Sequence, residues 1–228
     1  MAQVLQRLGA SGYTLQTYVT QVQRLLHDPN ADFWSISQLT DYINTARSHV
    51  VLDTQCLRTV ATYALTANVD RYDAQTVLSS TGITAQVLAI VDIFWIWSTD
   101  RIPLRNMAYT QLNREARPWT NYQSFLLGWA RQGQTGVVIG PLPDQSYSTE
   151  WDLIYAPLTL SALADSEVDL VYPQTEPVSY YAAYLARLYE EDIDRAQQMM
   201  SLYRARIKES QSNFVTMLDP SEDDVEVF

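Results

Sequence analysis

The residues best suited to chemistry are few and scattered. In a chain of 228 residues, His27 and His49 are the two histidines and Cys56 is the one cysteine. A structural zinc site of four Cys or His ligands is thereby excluded by counting. No serine or cysteine lies in a recognisable nucleophile motif, and GxGxxG, phosphate-loop and EF-hand signatures are absent. Glu190-Glu191 and Asp223-Asp224 offer paired carboxylates for acid-base or metal work, but neighbouring acids are far commoner on solvated helices and tails. Five tryptophans, Trp95, Trp97, Trp119, Trp129 and Trp151, gather in one stretch. Such aromatics can stack sugars or bases, with Asp152 or Glu150 as the acids of a glycosidase. They equally build cores and protein interfaces.

The elements that would hold these residues follow from periodicity. Residues 14–28 predict a helix with Thr14 as N-cap, a stripe of Leu15, Tyr18, Val19, Val22, Leu25 and Leu26, and Pro29 as its stop. His27 falls in the last turn, where a cation meets the negative end of the helix dipole. A second helix opens at Ser35 with a capping box to Gln38, and Trp34 is placed to staple onto Leu39. Ile36, Leu39, Ile43, Ala46 and Val50 form its apolar stripe. Asp41, Asn44, Arg47 and Ser48 form the opposite, polar face, and His49 flanks it.

From residue 55 the period changes to two. Leu57, Thr59, Ala61, Tyr63 and Leu65 share one strand face. In VLAIVDIFWIW (87–97), Val87, Ala89, Val91, Ile93, Trp95 and Trp97 alternate with a second apolar set, so both faces are expected to be covered. RIPLR (101–105) is the expected hairpin partner, followed by a short helix at 108–115. Residues 122–131, 137–142 and 149–158 complete an antiparallel β region. Gly128, Gly133, Gly136 and Gly140 are spaced like hairpin turns. Helical spacing returns at Pro177, breaks at EEDID (190–194) with Asp192 or Asp194 near the new cap, and runs to about 215. The predicted fold is α+β: a four-helix-type bundle from 14–52 and 177–215, a β insertion at 55–172, and a C-terminal arm at 216–228.

The chain is 47% hydrophobic and carries a net charge of −11, enough for a substantial core and too acidic for an exposed phosphate-binding surface. Lys208 is the single lysine, so nearly every cation is an arginine, which forks onto carboxylates and suits interfaces. The first residues lack the apolar core of a secretory signal, and the longest apolar run is too short to span a bilayer as a helix. A soluble protein is expected. Tyr13, Tyr18, Tyr42, Tyr180, Tyr181, Tyr184, Tyr189 and Tyr203 crowd the helices; either subunit packing or partial exposure would accommodate them.

Five segments in order carry a family resemblance: TLQTYVTQVQRLLHDPNADFWSISQLTDYINTARSHVV, LRTVATYALTANVDRYDA, IVDIFWIWSTDRIPLRNMAYTQLNREARPW, GPLPDQSYSTEWDLIYAPLTL and EPVSYYAAYLARLYEEDIDRAQQM. Together they resemble the head-to-tail adaptor (connector or neck-ring) proteins of tailed bacteriophages. The resemblance implies a non-enzymatic ring without cofactors, usually of twelve subunits, in the virion neck and assembled in the host cytoplasm. Its partners would be the portal protein above and tail nozzle or tail-tube proteins below, with DNA only as passing cargo and no membrane. Asp41, Asn44 and Arg47 are the candidate contacts of the helical face. Asp219, Val225, Val227 and Phe228 are those of the arm, which either docks on a partner or remains a solvated end. A carbohydrate-binding module or glycosidase, and another neck component such as a head stopper or tail terminator, are the alternatives.

Overall fold

The computed structural model describes residues 12–115 and 123–218. In chain order the helices are α1 (Leu15–Leu26), α2 (Ile36–Thr54), α3 (Ala74–Ser79), α4 (Tyr109–Glu115), α5 (Glu176–Tyr189) and α6 (Ile193–Leu218). The strands are β1 (Arg58–Ala64), β2 (Arg71–Asp73), β3 (Val87–Trp97), β4 (Asp100–Pro103), β5 (Arg105–Asn106), β6 (Gln123–Ser124), β7 (Gly128–Gln132), β8 (Gly136–Gly140), β9 (Leu142–Pro143) and β10 (Ser148–Tyr155). The class is α+β, divided into two compact units, Leu57–Ala156 and the remainder of the chain on either side.

In the helical unit, Thr14 caps α1 through a reciprocal box with Thr17, and Leu15, Tyr18, Val19, Val22 and Leu26 are buried. His27 closes the helix in a left-handed conformation, φ 60°. The Asp28 carboxylate then accepts the backbone N–H groups of Asp32, Phe33 and Trp34, which shapes the turn into α2. Ser35 and Gln38 form the second capping box. Leu39, Ile43, Ala46 and Val50 are fully buried, whereas Ile36, expected in the same stripe, is 44% exposed. Ile36 stands in the first turn, before the helix reaches the core. Trp34 is buried against Tyr42 of α2 and Tyr189 of α5. Helix α5 packs on α1, α2 and α6. The EEDID break is real: Glu191 turns left-handed at φ 61°, and Asp192 accepts the N–H of Arg195 to start α6.

Residues 157–172, grouped by the sequence reading with the β insertion, lie instead with the helices, apart from any sheet. A single bridge joins Ser166 to Thr14 at the start of α1. The physical reason is a set of buried polar contacts to α2.

The β unit holds one antiparallel sheet of order β1-β10-β3-β4 and a second of order β2-β8-β7-β5, in which β5 runs parallel to β7. β6 and β9 form a short parallel pair. Strict alternation does not hold along β3. Asp152 pairs with Asp92 but Leu153 pairs with Ile90, and Ile154 pairs with Ala89 but Tyr155 with Val87. Each shift leaves an extra residue, Val91 and then Leu88, and each bulge turns the side chains over. The buried set is consequently Val87, Ile90, Ile93 and Trp95, rather than every second residue. Of the four glycines read as turns, only Gly133, with φ 78°, occupies the β7–β8 turn. Gly128 and Gly140 pair across the strands. A Cβ on Gly128 would stand 2.6 Å from the Arg105 carbonyl oxygen, so glycine there permits the close β5–β7 approach.

Candidate functional site

The strongest polar construction is a buried clamp between α2 and the segment before α5. The Arg47 guanidinium meets Glu167 in a two-pronged pair, Nε to Oε2 at 2.7 Å and Nη2 to Oε1 at 2.8 Å. Its third nitrogen donates to the Leu158 carbonyl and to Asn44 Oδ1. Glu167 also accepts the N–H groups of Asp169 and Leu170, and the Tyr18 hydroxyl at 3.2 Å. Burial, followed by the Glu167 charge, drives the Tyr18 phenol well above its ordinary range, so it remains a donor. Asp169 lies 3.9 Å from Arg47 and accepts the Leu158 N–H. Both Glu167 oxygens and all three Arg47 nitrogens have hydrogen-bond partners, which is the condition for burying charge.

This clamp relocates one predicted contact. Arg47 is fully buried within its own unit, and Asn44 is half-buried, exchanging two hydrogen bonds with the Leu160 backbone. Only Asp41 of that trio is exposed. Asp219, Val225, Val227 and Phe228 fall outside the described residues, as do Trp119 and the Asp223-Asp224 pair. The Glu167 role was not anticipated. Its only sequence signal is an acid at the head of the apolar-acidic run SEVDLV, far in sequence from its partner.

The remaining chemistry candidates are structural. Glu190 accepts from Trp34 Nε1 at 3.1 Å and pairs with Arg187, whose other nitrogen donates to the Leu26 carbonyl. His49 stacks on Tyr181 at 4.5 Å between centroids. No group of three or more metal-ligating side chains exists among the described residues. In the β unit Trp129 and Trp151 are buried, while Asp152 pairs with Arg58 and Glu150 with Arg101. The acids proposed for sugar chemistry are thus engaged in ion pairs, and three of the tryptophans, Trp95 with Trp129 and Trp151, are core. Among the described residues, no helix is long and apolar enough to cross a membrane.

Two surface features of the helical unit remain. Phe33 (67% exposed) and Tyr189 (68%) flank the buried Trp34 ring at 5.2 and 5.5 Å, so they belong to one patch. Leu188 and Ile193, both exposed, adjoin it along the chain. Exposed aromatics beside a buried tryptophan are the composition of a protein-contact surface. Separately, a pocket of about 330 Å³ opens between α1, α5 and α6, lined by Tyr13, Arg24, Leu25, Ser179, Tyr180 and Arg206 among others.

A family model described as SU10 adaptor protein matches residues 13–219, which takes in both units and nearly the whole described chain. No curated protein matches the chain.

Proposed function

The chain belongs to the SU10 adaptor protein family, a family of phage head-to-tail adaptors, and on that premise we propose that it forms a ring beneath the portal, joining head to tail and continuing the DNA channel. Family membership makes it a structural component of the virion that associates with other head-tail proteins. The ring, its usual twelve copies, its place on the portal, its tail-nozzle or tail-tube neighbours, and the absence of catalysis are the reading proposed here.

The observation that carries it is the match over 13–219. The surface supports it. Phe33 and Tyr189 expose apolar area against Trp34, with Leu188 and Ile193 exposed nearby along the chain, and a heterologous contact between copies would cover it. In this reading α1, α2, α5 and α6 act as one bundle that builds the ring, with Asp41 and Asn44 at its polar border. A net charge of −11 suits a channel wall that DNA passes without adhering. Electron microscopy of the purified chain mixed with its phage's portal protein tests the proposal. A stoichiometric ring below the portal is expected; absence of any association sinks it.

A further inference from the structure

The pocket between α1, α5 and α6 and the aromatic patch around Trp34 are complementary surfaces of one helical unit. At the pocket, Arg24 is exposed and makes no ion pair with any described residue. Arg206 is held 2.9 Å from Glu209 and 3.8 Å from Glu176. Tyr13, Tyr180 and Leu25 supply half-buried aromatic and aliphatic walls. The patch has the opposite charge. Beside Phe33 and Tyr189 along the chain, Asp32, Glu191 and Asp194 are exposed and make no ion pair with any described residue. The cations closest to them in sequence are committed to other acids: Arg187 is buried against Glu190, and Arg195 pairs with Asp192.

We propose that the Phe33–Tyr189 patch of one copy seats in the Arg24–Arg206 pocket of the next. The aromatic rings meet Tyr13, Tyr180 and Leu25, and the acids beside them meet Arg24. The inference rests on the ring reading and names the two faces of its subunit contact. A copy cannot fill its own pocket. Tyr180 at the pocket and Tyr189 in the patch are nine residues apart on the single helix α5, about 14 Å at the helical rise. A second copy carries what the pocket lacks, an aromatic pair bordered by unpaired acids. The contact joins unlike surfaces, so each docked copy still presents one free patch and one free pocket, and addition continues until the ring closes. The opposed charges orient the encounter and penalise patch on patch or pocket on pocket, which would bring like charges together. Glu176 at the rim works against an acidic occupant, but Arg206 lies beside it.

The test places Glu176→Cys and Leu188→Cys in a Cys56→Ser chain, mixes it with the portal protein, and reads disulfide formation under mild oxidation on non-reducing gels. The two sites are twelve residues apart on α5, about 18 Å, well beyond the roughly 4–7 Å between Cα atoms that a disulfide bridges, so any bond joins different copies. A ladder of covalent oligomers is expected from the double variant, and monomer from each single-cysteine variant. Adding Arg24→Glu should reduce the ladder by about tenfold or more, with an unchanged melting temperature showing that the chain still folds. Rings on the portal without a ladder overturn this inference and leave the ring reading standing. A ladder undiminished by Arg24→Glu overturns the assignment to this pocket. Dimers from either single-cysteine variant show like faces meeting and overturn the head-to-tail contact. No ring by microscopy defeats the ring reading, and this contact falls with it.

Discussion

At the scale of single residues, Arg47 shows how burial reverses a surface assignment. By helical position it stands four residues after Ile43 and three before Val50, at the border of the apolar stripe, and its charge rather than its spacing makes it read as a polar-face contact. The segment 157–170 covers that side of α2, and Glu167 with two backbone N–H groups makes the site habitable for a guanidinium. Breaking the pair leaves a charge stranded in a desolvated site. Arg47→Ala is expected to destabilise the helical unit by about 3–5 kcal/mol, while Arg47→Met combined with Glu167→Leu should cost less because the central ion pair goes as a unit and Asp169 keeps its bond from the Leu158 N–H. Chemical denaturation of the two variants checks this. A loss under about 1 kcal/mol for the single variant would contradict the clamp.

At the scale of elements, the starts of α1, α2, α4, α5 and α6 were legible in the sequence, while α3 and the strand registers were not. Thr14, Ser35-Gln38 and Asp192 act locally, within three residues, and local signals survive into the fold unchanged. The bulges at Val91 and Leu88 depend on what β10 presents opposite, which no periodicity within β3 encodes. The α1–α2 turn gives a pH prediction. Three backbone N–H bonds, Trp34's foremost, hold the Asp28 carboxyl below its ordinary value of 3.8. The folded state therefore releases this proton more readily than the unfolded chain. Its contribution is complete above about pH 5 and fades as pH falls through the lowered folded value. Carbon-detected NMR titration should place the Asp28 midpoint below 3.8. Asp28→Asn should lower stability at neutral pH, with the gap from the parent protein closing in acid. A gap that widens in acid would refute this account.

At the scale of the whole molecule, the exposed residues around Trp34 separate folding from assembly. Phe33 and Tyr189 are about two-thirds exposed but pack on Trp34, so Phe33→Ser with Tyr189→Ser should lower the melting temperature of the isolated chain modestly and leave it folded. The same pair should abolish or strongly weaken ring formation on the portal, as counted in micrographs. Intact rings would move the subunit contact elsewhere.

The sequence by itself determined the α+β class, the starts of every helix but α3, the β3–β4 hairpin and, through ordered motifs along the chain, the adaptor family. These rest on caps, turns and periodicities that act over a few residues, or on an order that needs no coordinates. Only the tertiary structure decided that Arg47 faces inward, that 157–172 belongs with the helices, that Ile36 and Phe33 stay outside, and that Arg24 opens into a pocket. Each of those depends on which distant segment covers a given face. Burial is a property of the pair, and in this chain the deciding partners, such as Arg47 and Glu167 at a separation of 120 residues, are too far apart for any local pattern to join them.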